Sequence, residues 1–562
     1  MKTRSRKLTP FTLAFFGIMA VFFCTFLIYP LWYEMSRVVF EGGRFQFGFK
    51  SIYQNAVFRE SLVNSLILGV CVTALTTLLA LPLAVLTTRY TFPGRSWLSS
   101  LLLVPMIMPP FVGAIGIKRL LAVRGGSLNV LLANLGVIDL EHSINWLGSG
   151  FLGVVILETL HLYPIMYLSV TASLANIDPS MEEAARSLGD SGFRLFRRIT
   201  FPLLAPGYFA GATIVFIWAF TDLGTPLIFN YDHVAAVQIY NNLSGDNPAA
   251  YALAGAVLIL AVLLFYGSKW LFTRHEVQML SKGITAGQEK PLEFRGTVLA
   301  YAVFLIITLI ALLPHISVFL TAIADRWSGT VLPESYTFKY FADVFTREST
   351  LTSIRNSLFY SISSTVLDIV LGVAVAFLII RYRVWGSSVM DTLVMLPLAI
   401  PGIVLAFGYV TGFSKTLLDP RMNPTILLII AYAIRRLPYM VRSAAAGLQQ
   451  TSEVLEEASL NLGASPAMTM RRIVLPLLAA HVIAGSILCF SFAMLEVSDS
   501  ILLAMKENFY PITKAILEIQ QEPTHGIYVA CAFGVLGMVL LTISLLAAGK
   551  VMGKKMGSLF RM

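Results

Sequence analysis

Charged side chains inside long apolar stretches are the residues of this sequence best placed to act on an ion. Asp222 lies in the apolar stretch 204–229, and Glu496 and Asp499 lie in the stretch 477–503. Carboxylates in such stretches are costly to bury and usually serve a function. Asp222 and Glu496 occupy matching places and could together attract a cation. The alternative is that they cap a break in a helix or pair with a basic residue.

A second charged group combines arginine, histidine and glutamate. Arg435 and Arg436 stand midway along one apolar stretch, and His161 and Glu158 occupy the matching part of an earlier one. An arginine fork binds phosphate-like or carboxylate groups well, so this group favours an anion. In the alternative interpretation, Glu158 or Asp368 neutralises the arginines in an ion pair between helices, and the role is structural.

The sequence lacks the common motifs of catalytic chemistry. It contains no Gly-x-x-x-x-Gly-Lys-Ser/Thr phosphate loop and no Gly-x-Ser-x-Gly nucleophile motif. The 7 histidines are scattered, and the 4 cysteines lie in apolar stretches without metal-ligand spacing. We therefore expect no enzymatic activity, no cofactor and no resident metal in this chain.

The elements that must position these residues are membrane helices. The chain is 57% apolar and 13% charged, whereas soluble domains carry about 25% charged residues. Apolar runs of about 20 residues are long enough to cross a bilayer as helices. Twelve such runs, at 11–33, 62–86, 98–117, 151–174, 204–229, 250–272, 296–323, 355–380, 388–412, 424–445, 477–503 and 526–549, predict an all-α polytopic membrane protein.

The distribution of basic residues predicts the orientation of these spans. Most of the 41 lysines and arginines fall on one side of the predicted topology, and this side is normally cytoplasmic. Both termini then lie in the cytoplasm. The net charge of +10 follows from the same bias, so we expect the lipid membrane, and no nucleic acid, as a partner.

One polar, basic loop occurs twice on the predicted cytoplasmic side. The copies at 179–202 and 453–476 are related by an offset of 274 residues. The matching residues are Glu182, Glu183, Ala184, Ala185, Gly189 and Pro202 in the first copy, and Glu456, Glu457, Ala458, Ser459, Gly463 and Pro476 in the second. Each copy predicts a short helix ended by a glycine of positive φ, followed by a helix that rises into the next span. Two copies in register argue against an ordinary connecting loop.

The repeat extends over both halves of the chain. At an offset of 292 residues, Asn64-Ser65-Leu66, Arg89-Tyr90, Pro105, Pro109 and Gly116 recur as Asn356-Ser357-Leu358, Arg381-Tyr382, Pro397, Pro401 and Gly408. Six spans per half make parallel repeats, predicted as residues 1–272 and 296–562 with a cytoplasmic linker at 273–295. We expect a transport pathway between the halves. The prolines that interrupt spans 98–117 and 388–412 either line it or are packing kinks.

The repeated loop resembles the signature of permease subunits of type I binding-protein-dependent ABC importers: Glu-Ala-Ala, three residues, Gly, nine residues, Ile-x-Leu-Pro. The first copy departs from it at Phe201 and the second at Ser459. The resemblance implies two fused permeases in a bacterial inner membrane. It also implies two copies of a separate ABC ATPase, which bind ATP and Mg and contact Glu183 and Glu457 of the short coupling helices. A periplasmic or lipid-anchored substrate-binding protein completes the implied assembly.

Local strings around Asp222, Leu398 and Ser498 resemble the ferric-iron type of fused permease. That group also contains relatives that handle thiamine, sugar phosphates and phosphonates. Ferric iron carried with an anion suits a pathway with charges of both signs, so ferric iron is the expected substrate. The alternative class is a secondary transporter driven by an ion gradient, which would have no need of two matching cytoplasmic loops.

Overall fold

The computed structural model describes residues 10–41, 44–45, 48–243, 247–273, 290–382 and 386–552. Most of the predicted linker 273–295 and the far ends of both halves lie outside the described residues. The described residues of the first half form the helices Pro10–Phe23, Cys24–Ile28, Tyr29–Val39, Lys50–Gln54, Ala56–Arg89, Arg95–Leu101, Val104–Ile107, Pro110–Leu120, Ser127–Asn134, Leu140–His142, Phe151–Leu174, Pro179–Ser187, Gly192–Leu195, Phe196–Thr200, Phe201–Thr221, Gly224–Phe229, Ala235–Asn241 and Pro248–Thr273.

The second half repeats this order. Its helices are Phe294–Ile323, Lys339–Thr346, Glu348–Phe377, Leu378–Tyr382, Ser387–Met395, Leu396–Leu398, Gly402–Gly412, Thr425–Gln450, Glu453–Asn461, Pro466–Thr469, Met470–Val474, Leu475–Met494, Ser498–Leu503, Glu507–Phe509, Ile512–Ile519 and Gly526–Met552. The strands of the described residues form three two-stranded sheets: Phe40–Glu41 with Arg44–Phe45, Tyr90–Thr91 with Lys290–Pro291, and Ala324–Arg326 with Ser335–Tyr336. The second of these pairs is parallel and the other two are antiparallel.

The helices account for the twelve predicted spans. Within the described part of the chain, 9 helices are long and apolar enough to cross a membrane, and two further spans are bent pairs of helices. The pairs bend by 92° in the first half and 99° in the second, at the prolines noted in the sequence. The remaining span, Thr425–Gln450, is a helix that carries Arg435, Arg436 and Arg442. An all-α polytopic fold is therefore confirmed.

Two spans predicted as continuous, 204–229 and 477–503, are broken in the structure. The first helix ends at Thr221 and resumes at Gly224, and the second ends at Met494 and resumes at Ser498. Asp222 lies in the first break, where its side chain accepts the backbone N–H of Thr225 at 2.9 Å. A carboxylate can bond nearby backbone groups in place of the helix ladder, which apolarity alone does not reveal.

The first span of each half packs against the other half. Helix Tyr29–Val39 contacts Gly402–Gly412, and helix Phe294–Ile323 contacts Pro110–Leu120. The Tyr409 hydroxyl donates to the Phe26 carbonyl at 2.6 Å. The contact between Phe294–Ile323 and Pro110–Leu120 includes a 2.8 Å bond from a serine hydroxyl to a backbone carbonyl. The two halves therefore interleave. Their boundaries in the sequence, 1–272 and 296–562, stay predictions.

The repeated loops form the predicted short helices, called here the first loop helix, Pro179–Ser187, and the second loop helix, Glu453–Asn461. The side chain of the residue before each helix caps it by accepting a backbone N–H of the first turn. Gly189 and Gly463 follow the helices with φ of 93° and 87°, a conformation that favours glycine. The predicted helices and their glycine ends are confirmed.

Candidate functional site

A cavity of about 220 Å³ lies between the two halves. Its wall is built largely from residues that the repeat relates to each other. These pairs are Met108 and Ile400, Pro109 and Pro401, His161 and Arg435, Leu162 and Arg436, Trp218 and Phe492, and Asp222 and Glu496. The cavity lies where the sequence predicts a pathway, and residues of the proline-interrupted spans form part of its wall.

The second-half wall is an ion-paired cluster. Arg435 Nη1 donates to Glu496 Oε1 at 2.6 Å and to Asp499 Oδ2 at 3.3 Å. Arg436 Nη2 donates to the other oxygen of Glu496 and to the Phe492 carbonyl, the latter at 2.8 Å. Glu496 is 5% exposed and Asp499 is fully buried. Each arginine thus has a carboxylate partner on the neighbouring broken span.

The expected ion pair between helices is present in the described residues, but its acids are Glu496 and Asp499 and not Glu158 or Asp368. The ion pairs of the described residues join Arg435 and Arg436 to Glu496 and Asp499. The break after the helix Leu475–Met494 contains Glu496, and the short helix that follows carries Asp499, so both acids reach the arginine-bearing helix from one segment.

Gly402 makes room for the Arg435 guanidinium. A Cβ atom built on Gly402 would lie 2.0 Å from Arg435 Nη1 and 2.8 Å from its Cζ. The repeat-related residue in the first half is Pro110, and the residue that matches Arg435 is His161. Sequence reasoning missed Gly402, and the only signal for it is the change from proline to glycine between the repeats.

The first-half wall carries acid without a basic partner. Glu158 Oε1 accepts the Thr225 hydroxyl at 2.7 Å, and Asp222 accepts the Thr225 backbone N–H. His161 Nδ1 lies 3.1 Å from the Pro105 carbonyl oxygen. In the part of the chain that the structure describes, no lysine or arginine forms an ion pair with Glu158 or Asp222.

The cavity region therefore contains more carboxyl groups than guanidinium groups. The four acids Glu158, Asp222, Glu496 and Asp499 face two arginines, and the arginines are bound to the second-half acids. Within the described ranges, no three His, Cys, Asp or Glu side chains come together in a way that could hold a metal ion. The arrangement can attract a cation to the first-half wall without holding it in a complete coordination shell.

The two neighbouring glutamates of each loop helix point in different directions. Glu182 and Glu456 turn inward, where Arg89 contacts Glu182 at 2.7 Å and Arg381 contacts Glu456 at 2.8 Å. The side chains of Glu182 and Glu456 are 7% and 13% exposed. Glu183 is exposed on the outer surface of the first loop helix.

The outward surface of each loop helix is accessible to a partner. In the second loop helix Glu457 and Ala458 are exposed and Ser459 is buried; in the first, Ala184 is exposed and Ala185 is buried. Leu188 and Leu462 follow the two helices at repeat-related positions, and each is 89% exposed. Pro202 and Pro476 are exposed at the second position of the rising helices Phe201–Thr221 and Leu475–Met494. Only one glutamate of each pair is thus free to meet another subunit.

Arg89 and Arg381 are functional candidates that sequence reasoning did not single out as site residues. Both end a helical span of 34 residues, Ala56–Arg89 in the first half and Glu348–Arg381 in the second, where Glu348–Phe377 continues directly into Leu378–Tyr382. Their recurrence at the same offset as the rest of the repeat was the available signal. Their distance along the chain from the loop helices concealed the contact.

Comparison with known proteins places the chain in a family. The family model described as binding-protein-dependent transport system inner membrane component matches residues 51–276 and again 368–557. A Haemophilus influenzae protein named as a ferric transport system permease, FbpB 1, is 30% identical over 507 residues, covering 87% of this chain and 77% of that protein. The ferric transport system permease protein FbpB of Actinobacillus pleuropneumoniae is 29% identical over 544 residues, covering 94% of this chain and 76% of that protein.

A shorter relative shows the scale of one repeat. The molybdenum transport system permease protein ModB of Escherichia coli is 30% identical over 223 residues, which are 37% of this chain and 92% of that protein. Nearly all of that protein thus corresponds to a little over a third of this chain, as expected if two permeases are joined in one polypeptide. The double family match and the relatives aligned along most of the chain show that it belongs to the binding-protein-dependent transport system inner membrane components, as the fused permease subunit of an ABC importer.

Proposed function

We propose that this permease carries ferric iron across the bacterial inner membrane into the cytoplasm. Two relatives that match 87% and 94% of the chain are named for ferric transport. The observation that carries the proposal is that, among the described residues, no lysine or arginine forms an ion pair with the acids of the first-half wall. Glu158 and Asp222 line the cavity between the halves, and a highly charged cation is attracted most strongly by carboxylates in a medium of low dielectric constant.

An anionic substrate is the second candidate, since ModB is named for molybdenum transport. It would need free basic groups in the cavity. Arg435 and Arg436 are both engaged by carboxylates, so the wall offers no uncompensated positive charge. Phosphonates, sugar phosphates and thiamine, the other expected alternatives, are tested as substrates in the uptake experiment below.

In this proposal the loop helices are coupling helices on the cytoplasmic face, and both termini are cytoplasmic. Each helix binds one of two copies of an ABC ATPase, which hold ATP and Mg, and a substrate-binding protein delivers iron from outside. ATP binding draws the ATPase subunits and the two loop helices together, and the cavity opens outward. Hydrolysis resets it. The chain itself supplies the pathway and no catalytic group.

Uptake of radioactive ferric iron by the native host tests the substrate. A strain lacking the chromosomal copy should lose uptake, and the wild-type chain should restore it. Glu158→Gln together with Asp222→Asn should lower restored uptake about tenfold or more, the scale of a coupling loss of 1–3 kcal/mol. Iron uptake that persists in the strain lacking the chromosomal copy, with uptake of molybdate, sulfate, a phosphonate, a sugar phosphate or thiamine lost instead, would overturn the ferric assignment.

Charge reversal on the exposed glutamates tests the coupling. Glu183→Arg with Glu457→Arg should abolish co-purification of Mg-ATP hydrolysis with the tagged chain and reduce uptake roughly tenfold or more, since like charges across an interface cost several kcal/mol. Glu334→Arg, at an exposed glutamate between the strands Ala324–Arg326 and Ser335–Tyr336, is the control. Unchanged uptake and hydrolysis in the double variant would contradict the assignment. Uptake that collapses with the ion gradient but not with ATP depletion would favour the secondary transporter.

A further inference from the structure

In each half, one helix contacts the loop helix at one end and the segment next to the cavity at the other. These are Ala56–Arg89 and Glu348–Arg381, called here the first and second rod helices. The inner end of the first rod helix binds Glu182 through Arg89 at 2.7 Å, and that of the second binds Glu456 through Arg381 at 2.8 Å. Both ion pairs are largely shielded from solvent, so salt screens them less than it screens exposed pairs.

The inner contacts extend beyond the two ion pairs. In the first half, the Thr200 hydroxyl also donates to Glu182 at 2.8 Å, which ties the start of the next span to the same glutamate. In the second half, Arg381 Nη2 donates to the Thr451 carbonyl at 2.8 Å, at the end of the preceding span. The ion pair is common to both halves, whereas the third partner differs.

At the outer ends, each rod helix completes the start of a short helix. Ser65 Oγ accepts the N–H of Ala235 at 2.9 Å, and Ser357 Oγ accepts the N–H of Ile512 at 2.7 Å. Ala235 and Ile512 are the first residues of their helices. The first N–H groups of a helix have no partner within it, so these serines supply bonds that the short helices cannot make internally.

Asparagines beside the two serines add a second bond in each half. Asn64 Nδ2 donates to the His233 carbonyl at 3.1 Å, and Asn356 Nδ2 donates to the Asn508 carbonyl at 2.9 Å. From Asn64 to Arg89, the rod helix extends about 38 Å at 1.5 Å per residue. Both ends are therefore anchored by repeated side chains, on opposite sides of the bundle.

The outer anchor connects directly to the cavity wall. In the second half, the Thr513 hydroxyl donates to the Glu496 carbonyl at 2.7 Å, next to the residue anchored by Ser357. In the first half, the same chain segment passes from Asp222 through Gly224–Phe229 to Ala235. In the second half the contacts thus form a continuous series from the loop helix, along the rod helix, to the broken span that lines the cavity; in the first half the last step is the chain between Asp222 and Ala235.

We propose that the rod helices transmit the movement of the loop helices to the cavity-lining breaks, with Arg89, Glu182, Ser65 and their repeat mates as positioning residues. That an ATPase moves the loop helices rests on the proposed function. The mechanical link between the loop helices and the cavity does not. A helix is stiff along its axis, so displacing one anchored end displaces the other. Spatial continuity alone does not establish coupling, and two measurements test it.

The first measurement needs no partner protein. Hydrogen exchange of the purified chain in lipid nanodiscs is compared between the wild type and Glu182→Gln with Glu456→Gln. We expect at least about fivefold faster exchange in residues 235–241 and 512–519, the lower end of common coupling strengths. Arg194→Ala is the control, because Arg194 forms an exposed pair with Asp190 at 3.9 Å in the same loop region. Unchanged exchange at the far end, or an equal change in the control, would overturn the proposal.

The second measurement uses the native complex and Ser65→Ala with Ser357→Ala. The ratio of iron taken up to ATP hydrolysed should fall roughly fivefold or more, while hydrolysis continues. Ser61→Ala with Ser353→Ala is the matched control: these serines are buried on the same helices, one turn earlier, and bond only carbonyls of their own turns. An unchanged ratio, or an equal fall in the control, counts against the rod helices. A wild-type complex without ATP-driven uptake would refute the proposed function, and the exchange result would still decide the link.

Discussion

At one repeat-related position, the two halves of the permease carry the same kind of charge in different surroundings. Asp222 lies in a broken span and accepts a backbone N–H, whereas Glu496 lies in the matching break and binds two arginines. The second acid of each wall lies at a different repeat position. The residue that matches Glu158 is Tyr432, and the residue that matches Asp499 is Thr225. The two walls share a backbone plan and differ in their chemistry.

This difference shows what joining two permeases in one chain allows. In a permease made of two identical subunits, both walls of the central cavity would carry the same side chains. Here one wall is neutralised internally and holds its helices together, while the other leaves acid beside the cavity. We infer that the second half supplies structural rigidity and that the first half supplies attraction for the cation.

The largest expected contrast comes from neutralising the same repeat position in each half. Glu496→Gln should destabilise the protein by about 3–5 kcal/mol, because the buried Arg436 loses its carboxylate partner and the partly buried Arg435 keeps only Asp499. Asp222→Asn should cost less than about 1.5 kcal/mol, since the amide oxygen can still accept the Thr225 N–H. Unfolding by SDS in mixed micelles measures both. Equal losses would show that the two walls are not energetically different.

A smaller effect is expected where the arginine cluster meets the bent span. Gly402→Ala should displace the Arg435 guanidinium and cost about 1–3 kcal/mol, the usual range for overpacking. Gly537→Ala is the control, because a Cβ there meets nothing within 4 Å. The same unfolding assay applies, together with iron uptake. If Gly402→Ala behaved like Gly537→Ala, the guanidinium would not depend on this glycine.

Removing the hydroxyl of Thr225 is a milder change to the first-half wall. Thr225→Val removes the hydroxyl that bonds Glu158 and should cost about 1–2 kcal/mol, because a buried carboxyl oxygen loses its donor. Thr213→Val is the comparison, as its hydroxyl bonds only the Phe209 carbonyl of its own helix. A loss no larger than that of Thr213→Val would mean that Thr225 does not hold Glu158 in place.

The smallest effect concerns the departure of the second loop from the family pattern. Ser459 bonds the Thr469 hydroxyl at 2.9 Å, whereas the first loop has Ala185 and Leu195 at these positions. Ser459→Ala should cost about 1 kcal/mol and leave uptake within about twofold of the wild type. A large loss of uptake with normal stability would show that this hydroxyl bond takes part in coupling.

Much of the fold could be read from the chain because its signals are local. The lengths of the apolar runs predict the spans, and the prolines predict the interruptions near Pro109 and Pro401. The glycines after the loop helices predict their positive-φ ends. The breaks at Asp222 and Glu496 were predicted only as the alternative to a cation site, because hydropathy does not register a carboxylate that bonds the backbone.

The sequence by itself determined that the protein is a duplicated membrane bundle, which residues are repeated and which charges lie within the spans. Tertiary structure alone decided the partners of those charges, because an ion pair depends on which helices meet and at what depth. It also decided that Glu182 turns inward to Arg89 while Glu183 is exposed. Adjacent residues on a helix point about 100° apart, and only the packing of the bundle determines which of the two directions is the interior.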